Sequence, residues 1–374
     1  MPYEENRKAW TAIQNDLREA RYIYSSMFAL TAAAYVTRKW TGDPLWLMFV
    51  APPGTGKSCA MMLFRDADEV ILESSITPAG LVTAWGGKAN DPSLLATSDG
   101  KLLCFKDFGT VLSLGYEAMS QVLSTLREAF DGQFSKKFAS TTRIYEGSFN
   151  LVASATDSTD LHVQLSSHLG ERFLRFRPEQ VSLPWPISEI KQHIHGKVAT
   201  WIKSIEHSPH PPTDKEEWIF SLARMSALLR SPIMRDKRTG EVAEVALPEA
   251  PYRLAKQFSK LYQGLVVVMG DKEAARELVE TTAIGTIPPN RRKLLHYIQA
   301  MERDRPPGTA DLQALTHLGS RMIQGHLEDL FILKVLNRTK AAGREIAAGL
   351  VPNTFLWEMH EDFRALMNGM EVEF

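Results

Sequence analysis

Cysteine is scarce here: 374 residues hold only Cys59 and Cys104, far apart and without metal-ligand spacing. Both fall in segments expected to be core, a pattern that fits free thiols in a reducing compartment rather than a disulfide framework. Net charge is scarce as well, at −1, so no global field advertises nucleic acid or membrane and any basic surface must be local. No apolar stretch reaches the ~18–20 residues needed to span a bilayer. The opening Met1-Pro2-Tyr3-Glu4-Glu5-Asn6 lacks a signal-peptide pattern. Internal repeats and low-complexity tracts are missing too. The expectation is a soluble, cytoplasmic protein, long enough for two or three domains with substantial cores.

What is present is a loop. Ala51-Pro52-Pro53-Gly54-Thr55-Gly56-Lys57-Ser58 follows the apolar run Leu45–Val50 and precedes Cys59-Ala60-Met61-Met62-Leu63-Phe64. Strand, glycine-rich turn and helix in that order describe a phosphate cradle. A triphosphate needs several backbone N–H groups aimed inward, and Gly54 and Gly56 permit the tight curl. Lys57 is placed to neutralise the β- and γ-phosphates and the Ser58 hydroxyl to ligate Mg²⁺, with ATP as the expected nucleotide. Pro53, Thr55 and Cys59 complete the stretch expected to line the phosphates. The helix start adds a positive dipole end.

The remaining pattern places this loop in an α/β fold. Residues 1–40 read as a helical segment, Trp10, Ile13, Leu17 and Tyr24 recurring at helical spacing. Residues 41–186 read as a parallel sheet with helices on both faces. Its further strands are expected at Val70–Leu72, Leu102–Phe105 and Phe149–Ala153, with a helix starting at Ser74–Pro78, an insert at Trp85–Lys88, a helix over Met119–Phe130 and a polar hairpin over 133–147. After the Pro-rich Val181–Pro186, residues 187–285 read as a helical lid, with loops at Pro209–Pro212 and Arg235–Glu244. A separate module follows over 286–374.

Hydrolysis needs a carboxylate for Mg²⁺ and a group that polarises water. Asp107, just past the strand Leu102–Phe105, is the candidate, but its neighbours are Lys106 and Phe108, so a second acid is missing. Either Asp107 is the magnesium carboxylate and the base lies elsewhere, or Asp107 is the base and Lys106 replaces the metal ligand. The first is preferred, with Glu128 as a substitute base. Thr156 and Asp157, past the strand Phe149–Ala153, sit where open α/β sheets bind ligands, and Thr156 is favoured as the γ-phosphate sensor. Arg172, in Gly170-Glu171-Arg172-Phe173, suits a guanidinium offered to a neighbouring subunit's nucleotide. Arg253 begins an amphipathic helix from which it could reach the nucleotide.

This order of parts resembles the AAA+ ATPases and is most similar to their minichromosome-maintenance (MCM) helicase branch, over roughly residues 40–270. Gly170-Glu171-Arg172-Phe173 resembles that branch's Ser-Arg-Phe finger motif, the hairpin at 133–147 falls where the branch inserts a DNA-contacting hairpin, and Arg253 falls where its lid carries a sensor arginine. The resemblance implies a ring, expected to be a homo-hexamer, with Arg172 acting in trans and Lys136 and Lys137 gripping single-stranded DNA in the pore. It also departs from the branch: the acidic pair is incomplete and no large amino-terminal DNA-binding domain precedes the motor. The compact layout is similar to ATPases of phages, plasmids and mobile elements, which implies replication proteins as partners.

The last module adds a helix over Arg292–Met301, a second over Thr309–Thr316 capped by Thr309, the turn His317-Leu318-Gly319, and a third over Ser320–Leu330 opened by a serine cap. Two helices joined by such a turn match a helix-turn-helix. Strands over Phe331–Asn337 and Arg344–Phe355 would make it a winged helix. Arg321, Gln324 and His326 are expected on the exposed side of the third helix, with Met322 on the packed side. Lys334, Arg338 and Lys340 decorate the wing, a modest local excess of basic residues that permits duplex DNA contact. The expected activity is ATP hydrolysis driving a DNA helicase or translocase; the competing expectation is an ATP-switched loader or regulator with little unwinding.

Overall fold

A computed structural model describes residues 3–20, 22, 24–83, 91–138, 142–162, 172–178, 193–208, 217–236, 238–244, 247–302, 304–342, 354–368, 370 and 374. The expected insert at Trp85–Lys88, the Pro-rich Val181–Pro186, the loop at Pro209–Pro212, and Gly170, Glu171 and Arg344 lie outside the described residues. The fold is mixed α/β. The chain forms two compact units, Met1–Asp214 with Lys256–Thr282, and Lys215–Ala255 with Ala283–Phe374. The division cuts through the segment expected to be a separate lid.

The first unit is built on five parallel strands, β1 (Trp46–Val50), β2 (Val70–Glu73), β3 (Leu102–Phe105), β6 (Asn150–Ala155) and β7 (Leu174–Phe176), ordered β2-β3-β6-β1-β7. A hairpin, β4 (Gln133–Lys137) with β5 (Thr142–Glu146), is inserted before β6. β1, β3 and β6 are buried along their whole length, the expected signature of strands covered on both faces. Alternation sorts the β1 side chains. Trp46, Met48 and Val50 join a core with Leu103, Phe105, Leu151 and Ala153. Helix α7 (Tyr116–Phe130) covers that face with Met119, Val122, Leu123 and Leu126.

The opposite face carries α2 (Ser25–Val36) and the short α3 (Lys57–Met62), with α1 (Glu4–Glu19) and α8 (His193–Ile205) packed around them. There Phe28 stacks with Trp10, Phe64 and Trp201 at centroid distances of 5.9, 5.3 and 5.2 Å. A buried amide pins this layer. Asn150 donates to Ala34 O and Thr37 Oγ1, both at 2.8 Å, and accepts from Leu45 N–H at 2.7 Å. Between β2 and β3, Thr77 caps the four-residue helix Pro78–Leu81 by accepting from Gly80 N–H, as the Ser-Ser-Ile-Thr-Pro pattern requires.

In the second unit, helices Glu217–Arg230, Pro289–Met301, Thr309–Thr316, Ser320–Ile332 and Glu361–Met367 accompany two small antiparallel pairs. Met234–Arg235 pairs with Val242–Glu244, so the stretch expected as a loop is a hairpin. Leu336–Lys340 pairs with Phe355–Met359. The first strand of that pair starts later than expected, because Phe331 and Ile332 continue the preceding helix. Lys334, at φ +57°, then turns the chain out of it. The helix caps also differ. Gly308 and Gly319 occupy the cap positions, and Gly308 N–H donates to Asp311 at 2.8 Å, while Thr309 Oγ1 accepts from Trp357 Nε1. Met322 is half exposed and His326 largely covered, the reverse of the expectation. Arg291 holds the unit together. This buried guanidinium donates to Leu229 O and Ser231 O and pairs with Asp329 at 3.1 Å.

Candidate functional site

Because the five strands are parallel, their carboxyl ends share one rim, the side on which open α/β sheets bind ligands. The loop 51–58 leaves β1 on that rim. Gly54 and Gly56 adopt φ +82° and +74°, the left-handed region the tight curl requires. Lys57 is buried, its Nζ 2.6 Å from Ala51 O and 2.7 Å from Pro52 O, so the ammonium lies inside the curl. Burial lowers its pKa, while the charges of Asp157 and then Asp107 oppose that fall. Pro53, Gly54, Ser58 and Cys59 are exposed and Thr55 is half-buried.

Neighbouring strands bring the other groups to this rim. Ser58 Oγ donates to Lys106 O at 3.1 Å, joining the loop to the end of β3. Asp107, next in sequence and exposed, accepts from Gly109 N–H at 2.9 Å through Oδ1. The end of β6 is fastened to both neighbours: Ala51 N–H donates to Ala155 O, and Phe108 N–H to Ser154 O at 2.7 Å. Thr156 and Asp157 therefore follow beside Lys57, with Thr156 Oγ1 2.7 Å from Ser158 Oγ. Mg²⁺ retains several waters and takes few protein oxygens, so the Ser58 hydroxyl and the Asp107 carboxylate fit it chemically. That ion would supply charge neutralisation at the phosphates.

Tyr24, from the turn between α1 and α2, closes the loop's other side. A Cβ on Gly56 would fall 2.9 Å from its ring. The same ring lines a cavity of about 340 Å³ with Trp10, Ser26, Phe176, Arg177 and Leu278. Helical spacing counts Tyr24 with Trp10, Ile13 and Leu17, but it lies in the turn between the two helices, and nothing in the sequence ties it to the loop. Its signal is three-dimensional, the close approach to a glycine that cannot carry a side chain.

Two of the predicted site residues lie away from this rim. Glu128 is exposed on the last turn of α7, two residues before Phe130, whose ring meets Trp46 at 5.1 Å. Trp46 begins β1, so Glu128 belongs to the amino ends of the strands, roughly 13 Å of strand away from the loop. Glu128 and the loop 51–58 of the same chain therefore stand toward opposite ends of β1. Arg172 precedes β7 at the same far end. It is buried against Phe130 and held by both oxygens of Asp131 at 3.1 and 2.9 Å, with its carbonyl accepting from Gln257 Nε2. Arg177, five residues later, stands at the near end instead. Its Nη2 lies 2.6 Å from Asp160 and its Nη1 3.6 Å from Asp157. Arg253 belongs to the second unit, where it pairs with Glu249.

The DNA candidates divide similarly. Lys136 and Lys137 occupy opposite faces of the β4–β5 hairpin. Lys136 is half-buried, with Nζ 5.5 Å from the Phe138 centroid, and Lys137 is exposed. The outward face also carries Ile144, 69% exposed. In the second unit Arg321, Gln324, Lys334 and Lys340 are exposed, and Arg338 is stacked between the Phe331 and Phe355 rings at 4.8 and 4.5 Å. Arg235 grips the Ser320–Ile332 helix at Glu328 and Asp329, at 2.8 and 2.6 Å. Comparison with protein-family models and with curated proteins finds no match. Among the described residues, no helix is long and apolar enough to cross a membrane, and no group of three or more His, Cys, Asp or Glu gathers as a metal site.

Proposed function

We propose that the first unit binds MgATP and hydrolyses it to ADP and phosphate, as an AAA+-type motor acting on DNA. One observation carries the reading: a buried lysine inside a left-handed glycine curl, at the carboxyl end of a central parallel strand, with Ser58, Asp107, Thr156 and Asp157 on the same rim. The phosphates would meet the loop N–H groups and Lys57, and Ser58 and Asp107 would hold the metal. The cavity behind Tyr24 has the size of a small-ligand pocket and would take the base.

Arg172 stands at the opposite end of the sheet from its own loop, so the phosphate within its reach is another copy's. This supports a finger in trans and a homo-oligomeric ring. Lys137 and Ile144 on the hairpin, and Arg321, Gln324, Lys334, Arg338 and Lys340 on a winged-helix module, are the proposed DNA contacts. A second reading, an ATP-switched loader, is favoured by the two-oxygen grip of Asp131 on Arg172, which must open before the finger acts. Phosphate release from MgATP with and without single-stranded DNA separates the two. Stimulation lost in Lys137→Ala supports the motor, and indifference to DNA supports the switch.

A further inference from the structure

We propose that Asp157 is the second acid of the nucleotide site, the group that takes the proton of the attacking water, and that Arg177 positions it. This rests on reading residues 51–58 as a triphosphate cradle.

The acidic pair at the end of β3 is incomplete, since Lys106 stands beside Asp107. Asp107 is partly committed, one oxygen holding Gly109 N–H. Glu128 lies at the far end of the sheet. The missing carboxylate is supplied by the next strand over. β6 pairs with β1 on one side and β3 on the other, placing Ala155 opposite Val50 and Ala153 opposite Phe105. Two residues beyond Ala155, Asp157 therefore emerges between the Lys57 curl and Asp107. Its charge acts on the Lys57 ammonium more strongly than that of Asp107.

Its surroundings suit proton transfer. Asp157 is 58% exposed and open to water, whereas Arg177 is only 10% exposed. The Arg177 guanidinium is anchored at 2.6 Å to Asp160, which Arg175 also holds at 3.3 Å, and presents its other nitrogen 3.6 Å from Asp157 Oδ1. A pinned cation thus biases an accessible carboxylate toward one place. In the reaction, the water oxygen bonds to the γ-phosphorus and the bond to the β–γ bridging oxygen breaks, its electron pair leaving with ADP. The water proton passes to Asp157 and from there to solvent.

The test uses the full chain with MgATP. Asp157→Asn should bind a fluorescent ATP analogue as wild type does and keep KM, while kcat falls about 10²–10⁴-fold, the usual contribution of a general base. Asp157→Glu should recover part of the loss, and Arg177→Lys should retain more turnover than Arg177→Gln. Unchanged kcat in Asp157→Asn, or a loss confined to KM, overturns the proposal while leaving the cradle standing. A wild-type protein that binds MgATP without hydrolysing it also overturns it. A wild-type protein that fails even to bind MgATP removes the cradle itself, and the proposal with it.

Discussion

Lys260 shows how far one buried charge can be from ordinary behaviour. Its ammonium donates to Asp43 O at 2.8 Å and Trp40 O at 3.2 Å, pinning the Tyr252–Met269 helix to the turn before β1. Burial pulls its pKa from 10.5 down to about 8, with Asp43 opposing. Below pH 8 both the folded and unfolded chains carry the proton, so the folded state bears the full desolvation cost. Between about pH 8 and 10.5 the unfolded chain binds more protons, and stability rises with pH. Relative to Lys260→Met, wild type should gain about 2–3 kcal/mol across that window in urea unfolding. A flat difference would show that the ammonium is solvated. Lys57 was legible from its sequence neighbours alone. Lys260 and Tyr24 were not, because their partners lie more than two hundred and some thirty residues away in the chain. The three arginines after residue 171 show a related limit. Spacing says that Arg172 and Arg177 are close in sequence, but only the direction of β7 tells which end of the sheet each one faces.

At the scale of elements, β1, β3 and β6 were readable because strands buried on both faces leave continuous apolar runs between polar turns. The amino-terminal helical segment comprises two helices, α1 and α2, around the turn that delivers Tyr24 to the loop. At Phe331-Ile332 an apolar pair fits a helix and a strand equally well, and the positive φ at Lys334 decides between them. Glu328 and Asp329 anchor the Met234–Glu244 hairpin through Arg235, a pairing that no local spacing reveals. Asp329 carries more, since it also neutralises Arg291, whose guanidinium is buried. Removing one partner of a buried pair strands the other charge. Asp329→Ala should therefore lower the stability of the second unit by about 3–5 kcal/mol in chemical denaturation. A loss below about 1 kcal/mol, the range of a surface pair, would contradict that view.

At the scale of the whole molecule, the proposed chemistry is split between copies. The loop lies at one end of the sheet and Arg172 at the other, so on this proposal a complete site would take its arginine from a neighbour. Arg172→Ala should still bind MgATP while losing about 10³-fold or more in turnover. Lys57→Ala should lose nucleotide instead. Mixing the two inactive variants should restore part of the phosphate release, because some seams then pair an intact loop with an intact arginine. Absence of recovery would assign Arg172 and Asp131 a purely structural role at the base of the hairpin.

The most direct measurement is MgATP binding and steady-state phosphate release by the full chain, wild type against Lys57→Ala. We predict that wild type binds and hydrolyses ATP and that the variant does neither while remaining folded. Equal nucleotide affinity in the two proteins, or no binding by wild type at saturating MgATP, would contradict the account.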